Sequence, residues 1–114
     1  MTAESFTPAQ VIQELARIQA EASKGADALY RAEVKLAECE NAYEKALQLA
    51  LMNSEGTVAD RTAVSRLQAS DARLAADLAK AEHNRIKTKL KQLELAQMST
   101  QTIAKQVELG YKFA

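Results

Sequence analysis

The stretch PAQVIQELARIQAEASKGADALYRAEVKLAECENAYEKALQLA, residues 8–50, decides the fold of this chain. Every seventh residue of it, starting at Pro8, is apolar, and a second set of small or apolar residues lies three positions after the first. The two sets are Pro8, Leu15, Ala22, Leu29, Leu36, Tyr43 and Ala50, and Val11, Ile18, Gly25, Ala32, Cys39 and Ala46. This spacing is typical of a coiled-coil seam and predicts one long α-helix that needs a partner helix.

The second half of the same chain is the expected partner. Residues 53–56, Asn-Ser-Glu-Gly, are typical of a turn, and the chain beyond them is rich in strong helix formers. Residues 1–60 contain ten acidic and five basic side chains, whereas residues 61–114 contain five acidic and ten basic ones. Folding back antiparallel would place an acidic helix beside a basic one. The sequence therefore predicts an all-α fold built on a long antiparallel helical hairpin.

Capping residues set the expected boundaries of the helices. Thr7 and Gln10 have the spacing of a capping box around Pro8, which suits the first helical position. Thr57 is placed to cap the second helix, with Asp60 three residues later. The predicted segments are a flexible arm at 1–6 and a single domain at 7–114, with helix 8–52, turn 53–57, helix 58–98 and a short helix or tail at 100–114.

Two positions leave alternatives open. Gly25 is either tolerated within the first helix or breaks it. Thr100 either caps a short third helix that Gly110 ends, or lies within a second helix that runs on to Leu109. Beyond that point two aromatic residues are predicted to dock onto a groove. These docking residues are Tyr111 and Phe113.

The larger apolar side chains of the second half are expected to form its seam. They are Val64, Leu67, Leu74, Leu78, Ala81, Ile86, Leu90, Leu93 and Leu95. Folding about residue 55 would pair the two seams so that facing residue numbers sum to about 110. In that register Leu36 faces Leu74 and Leu15 faces Leu95.

No residue pattern points to catalysis, to a metal or to a cofactor. His83 is the only histidine, with no glutamate three residues before it and no His-Glu-x-x-His motif, and Cys39 is the only cysteine. Glu40 and Glu44 share a helical face, where paired carboxylates are usually solvated. The lone cysteine favours a cytoplasmic setting, and no apolar run is long enough to span a membrane. We expect no enzymatic activity.

Apolar surface left over by a hairpin predicts self-association. Residues 46–52 are apolar nearly all round, and a second stripe lies away from the main seam. We expect a homo-oligomer, most simply a dimer that forms a four-helix bundle. In the alternative, the C-terminal tail covers these surfaces within a monomer. The expected interface residues are Leu47, Leu49, Leu51, Met52, Tyr30 and Val34.

A run of basic residues marks the second helix. Phosphate-binding surfaces use such residues, so nucleic-acid contact is one interpretation. The run is spread round the helix, however, and part of it would face Glu14, Glu21 and Asp27. A solvated or salt-bridged face is therefore preferred. The run consists of Arg85, Lys87, Lys89 and Lys91.

Four features follow one another in residues 40–95: Tyr43-Glu44-Lys45-Ala46, the Glu55-Gly56 turn, Arg61 shortly after it, and the Lys-rich Leu/Ala helix from Leu74 to Leu93. In these features the segment resembles a group of small all-helical tailed-phage proteins encoded in early replication and recombination gene clusters. The resemblance implies a phage origin and an accessory role in the host cytoplasm. It implies no activity.

Taken together, these features predict a non-enzymatic helical interaction or adaptor protein that binds a protein partner. One alternative is a nucleic-acid-binding accessory of phage recombination or replication. A third possibility is an oligomeric binder of small molecules such as nucleotides, or an inhibitor of a host-defence factor.

Overall fold

A computed structural model describes the backbone of residues 7–113 and the side chains of residues 7–110. The elements are α1 (Pro8–Met52), α2 (Val58–Gln68) and α3 (Ser70–Phe113), and no strand occurs among the described residues. The all-α helical hairpin is confirmed, with α1 over the predicted range. The predicted arm at residues 1–6 lies outside the described residues.

The start of α1 is fixed by the predicted capping box. The backbone N–H of Gln10 donates to Thr7 Oγ1 at 3.2 Å, and the backbone N–H of Thr7 donates to Gln10 Oε1 at 2.8 Å. These bonds satisfy two donors that the first helical turn leaves free. The helix then continues without interruption through Gly25, which is therefore tolerated.

One side chain from the turn and one from α2 close the connection between α1 and α2. The hydroxyl of Ser54 donates to the Ala50 carbonyl, and Arg61 Nη2 donates to the Leu51 carbonyl at 3.0 Å. Gly56 has a φ of 108°, which glycine adopts at low cost. Thr57 caps α2 by accepting from the Asp60 N–H at 3.2 Å, as predicted.

The second half of the chain is interrupted at Ala69 and not at residues 99–100. The expected short third helix is absent from the described residues, since α3 continues to Phe113 and passes through Gly110. Thr100 does not cap a new helix because its hydroxyl donates to the Ala96 carbonyl, 2.9 Å away, within α3. The interruption at Ala69 keeps the backbone hydrogen bonds to the residues four positions before and after it. Hydrogen bonds of 2.9 and 3.0 Å join Ala69 to Ser65 before it and to Arg73 after it.

The chain divides into two compact units. One consists of Leu29–Ile86 and contains the turn, and the other consists of the described parts of Met1–Ala28 and Lys87–Ala114. In each unit a segment of α1 packs against a segment from the second half of the chain.

The predicted seam of α1 is confirmed. Every residue of both sets from Val11 to Ala50 is buried or half-buried, and only Pro8, at the helix end, is exposed. The regular spacing of three and four residues was sufficient to find this face.

The seam of α2 and α3 differs from the predicted one. Ile86, Leu90 and Leu93 do lie in it, but Leu67, Leu74, Leu78 and Leu95 are exposed, as are Val64 and Ala81. Small and polar residues take their place. The observed seam contains Thr62, Ser65, Ala69, Ala72, Ala76, Ala79, His83, Ile86, Leu90, Leu93, Ala96, Thr100 and Val107.

The register between the helices is also shifted from the prediction. In the unit that holds the chain ends, Gly25 lies against Leu90, and in the other unit Glu33 lies against His83. These numbers sum to 115 and 116, whereas the sequence predicted a sum of about 110. The prediction was wrong because it matched leucine with leucine.

The observed register matches large residues with small ones. A sum of 115 places Leu36 opposite Ala79 and Tyr43 opposite Ala72, just as Gly25 lies against Leu90. Alternating large and small side chains across facing positions fills the space between helices without strain.

The packing between Gly25 and Leu90 leaves no room for a larger side chain at position 25. A β-carbon at this position would overlap Leu90 Cδ2 and would lie 3.3 Å from Leu90 Cγ. The glycine therefore provides the space for the leucine. Its cost in helix propensity, about 1 kcal/mol relative to alanine, is offset by that packing.

Gly25→Ala is expected to destabilise the wild-type chain but to stabilise a Leu90→Ala variant. In the wild type, overpacking against Leu90 costs about 1–3 kcal/mol, which exceeds the gain of about 1 kcal/mol in helix propensity. With Leu90 truncated, only the gain remains. Urea unfolding of the four chains measures both effects. The same sign in both backgrounds would contradict the contact.

Candidate interaction surfaces

Large apolar side chains lie on the side of α2 and α3 that faces away from α1. Leu67 is 76% exposed and Leu74 57% exposed, and Val64 lies beside them at helical spacing. We call these three residues the outer stripe. A single charge, that of Asp71, lies along it. Contiguous exposed apolar residues of this kind are typical of a protein-binding surface.

A second surface follows the groove between α1 and α3 in the unit formed by Leu29–Ile86. The groove has a volume of about 230 Å³, and small side chains form most of its lining. Ala42 and Leu49 continue the row of Lys35 along α1 at spacings of seven residues. The lining residues are Ala32, Lys35, Cys39, Ala75, Leu78, Ala79 and Glu82. We call this surface, with Ala42 and Leu49, the groove face.

Lys35 and Glu82 stand on opposite walls of the groove. Arg85 donates to the Glu82 carboxylate at 2.7 and 3.0 Å, and this pairing lowers the pKa of Glu82. The charge of Lys35 lowers that pKa further. Both walls of the groove thus carry charge above a floor of small side chains.

The other side of the same unit is charged. His83 lies in the seam with only 15% of its side chain exposed, and its Nε2 is 3.6 Å from Glu33 Oε1. Glu40 follows Glu33 at a spacing of seven residues. The register places both glutamates on the side of α1 that adjoins Arg73 and Lys80. One side of this unit is therefore lined by acidic and basic residues, whereas the other side is the groove face, with small side chains on its floor.

The six predicted interface residues do not form one patch. Tyr30 and Val34 are exposed on α1 and share a shallow surface with Arg31, Lys35 and Glu38. Another exposed pair shares a surface with Glu44, Lys45 and Gln48, and the remaining two residues are half-buried beside the seam. The exposed pair is Leu49 and Met52, and the half-buried pair is Leu47 and Leu51.

The predicted basic run is exposed but is not gathered on one face. Arg85 is bound to Glu82, and Lys87, Lys89 and Lys91 point to different sides of α3 because they are spaced by two residues. Two of the three acidic residues expected to face the run pair with an arginine of α1 instead. Arg17 binds Glu14 at 2.6 Å and Glu21 at 3.2 Å along α1, and the first pairing lowers the pKa of Glu14.

Three basic residues spaced by seven lie on one side of α2 and α3 within the unit formed by Leu29–Ile86. They are Arg66, Arg73 and Lys80, and all are exposed. The seven-residue spacing is the signal in the sequence that groups them. Arg61, which the resemblance singled out, is half-buried and is used to hold the end of α1.

The sequence also singled out one cysteine and a pair of glutamates as candidate residues. Cys39 is half-buried in the α1 seam, and Glu40 and Glu44 are exposed. Within residues 7–110, no three metal-binding side chains lie close enough together to hold an ion. No helix in the described part of the chain has the length and apolarity needed to cross a bilayer. The structure describes the backbone but not the side chains of Tyr111 and Phe113, so their docking stays a prediction.

Comparison with protein-family models, with curated proteins and with solved structures finds no match to this chain.

Proposed function

We propose that this chain is a non-enzymatic helical adaptor that acts through protein–protein contacts. The outer stripe is the observation that carries the proposal. Burying a leucine stabilises a fold by about 1.5–3 kcal/mol, yet Leu67 and Leu74 remain exposed while alanines occupy the seam beside them. A partner that covers the stripe would recover that free energy.

The composition of the core supports the same proposal. The buried apolar residues described are Val11, Ile18, Val107 and the five alanines Ala32, Ala50, Ala69, Ala76 and Ala79. The most completely buried apolar residues are thus mostly small, whereas the larger Leu67 and Leu74 are exposed. An amphipathic helix that presents an apolar face is the kind of partner that fits such a stripe. The resemblance of residues 40–95 to small tailed-phage proteins adds an accessory role in the host cytoplasm to the proposal.

Lysines in the outer stripe are expected to abolish capture of the protein partner. The variant Leu67→Lys, Leu74→Lys places two charges where an apolar contact is required, while both positions are exposed and the hairpin should fold. Affinity capture from the native host cell, followed by titration of the purified partner, measures the loss. We expect binding to weaken by about a hundredfold or more, as for residues central to an interface.

The matched control is Leu95→Lys, Leu109→Lys, which changes two other exposed leucines of α3. The control should bind the partner like the wild type. Undiminished binding by the stripe variant would show that the partner uses another surface.

Nucleic-acid binding through Arg66, Arg73 and Lys80 is the second candidate. The row offers exposed positive charge at regular spacing, but Glu33 and Glu40 on the adjoining side of α1 oppose that charge. Protein binding is therefore the better-supported function. Affinity for DNA that falls steeply with salt would reverse this preference.

A further inference from the structure

The unit formed by Leu29–Ile86 has one side lined by acidic and basic residues and one side with a groove, whose floor of small side chains lies between the charged walls of Lys35 and Glu82. Glu33, Glu40, Arg73 and Lys80 belong to the first side, whereas the groove face belongs to the other. Ala75 is exposed on the groove face although it lies next to the seam. Small exposed side chains along a groove allow another helix to approach closely.

We propose that the groove face binds the groove face of a second copy of this chain, forming a four-helix bundle with a two-fold axis parallel to the helices. Each α1 then lies beside the α3 of the other copy as well as its own. The contact is isologous, because the same surface is used twice. The outer stripe stays exposed in this dimer and remains free for a different partner.

Charge complementarity identifies the occupant as a second copy. Lys35 and Glu82 lie on opposite walls of the groove at one level of the hairpin. When two such grooves meet about a parallel two-fold axis, Lys35 of each copy faces Glu82 of the other. Opposite charges then alternate around the four helices. A two-fold axis perpendicular to the helices at this level would instead place Lys35 opposite Lys35 and Glu82 opposite Glu82.

The shape of the face fits the same arrangement. Leu78 stands on the α3 wall of the groove, and Ala42 and Cys39 lie on the α1 side. The dimer places Leu78 of each copy over the small residues of the other copy's α1. It would also cover Leu49, which is 58% exposed in the single hairpin. The dimer thus adds the large-against-small packing already present within each hairpin.

Ala75→Arg tests the proposal. Ala75 is exposed in the single hairpin, so an arginine there leaves the fold intact, but it occurs twice in the symmetric contact and fills both grooves. We expect the dimer dissociation constant to rise about a hundredfold or more, measured by light scattering over a range of concentrations. Ala81→Arg is the matched control, because Ala81 is also exposed but lies on the outer side of α3. It should dimerise like the wild type.

The single cysteine provides a second readout without any substitution. Cys39 lines the groove, so the two copies of it lie at the same level across the proposed interface. A short bis-maleimide should crosslink the wild-type dimer and fail to crosslink Ala75→Arg. Circular dichroism of each variant verifies that it is folded.

Three results would overturn the proposal. They are a monomeric wild type at all concentrations, a dimer that Ala75→Arg leaves unchanged, and a dimer in which Cys39 does not crosslink. The proposed function is tested separately, because Leu67→Lys, Leu74→Lys should remain dimeric while losing the protein partner.

Discussion

Replacing Ile18 by aspartate is expected to abolish cooperative unfolding of this chain. Ile18 is 1% exposed and is the largest apolar side chain that the described core buries completely. Truncating a buried isoleucine alone costs about 2–5 kcal/mol, and an unpaired carboxylate in the same place costs more. A domain of this size has only about 5–15 kcal/mol of stability to lose. Thermal and urea unfolding followed by circular dichroism measure the loss.

The chain supplies a matched control for this change. Ile12 lies on the same helix, less than two turns away, and is 68% exposed. Ile12→Asp should therefore change the free energy of unfolding by about 0.5 kcal/mol or less. If the two variants unfold alike, the seam does not run through Val11 and Ile18.

The register between the helices predicts where an internal disulfide can form. A sum of 115 places Ala76 opposite the native Cys39, so Ala76→Cys should form an internal disulfide on mild oxidation. Both side chains belong to the seam, and a disulfide between them requires a Cα separation below about 7 Å. The bond closes a long loop and should stabilise the hairpin by up to about 3–4 kcal/mol.

Asp71→Cys is the control, since position 71 would face Cys39 in the register with a sum of about 110. Asp71 is exposed in the structure, so no internal disulfide is expected there. Non-reducing electrophoresis and thiol titration at low protein concentration distinguish internal from intermolecular bonds. An internal bond in Asp71→Cys, with none in Ala76→Cys, would show that the helices pair in the register predicted from leucine positions.

The first half of the fold could be predicted from the sequence because its signals agree with one another. The seam of α1 repeats every seven residues without exception from Val11 to Ala50, and Thr7, Gln10 and Thr57 make the capping hydrogen bonds that their spacing suggests. Local chemistry and periodicity point to the same boundaries. Such agreement makes a prediction reliable.

The second half could not be predicted because hydrophobicity points to the wrong face. Leu67, Leu74 and Leu78 are more apolar than Ser65, Ala72 and Ala76, so a search for the most hydrophobic stripe selects the outside of the helix. The true seam is visible only as a regular spacing of small residues that continues into Ile86, Leu90 and Leu93. An error in choosing the face then carried over into the register.

The sequence predicted that apolar surface would remain exposed, but it did not locate the outer stripe or the groove face. Leftover apolar surface was expected on α1, and Tyr30, Val34, Leu49 and Met52 are indeed exposed there. The outer stripe was missed because its leucines had already been assigned to the core. The groove face was missed because its lining depends on which residues of α1 and α3 lie side by side. That pairing follows from the register between the helices, which was predicted wrongly.

The hydrogen bond from Arg61 to the Leu51 carbonyl has a consequence for the order in which the chain takes shape during translation. The Leu51 carbonyl finds this donor only beyond the turn. A nascent chain that has left the ribosome as far as Met52 therefore lacks the side chain that secures the end of its first helix. During translation the end of α1 is therefore fixed only after about nine further residues have emerged. The hairpin then begins to close from its tip.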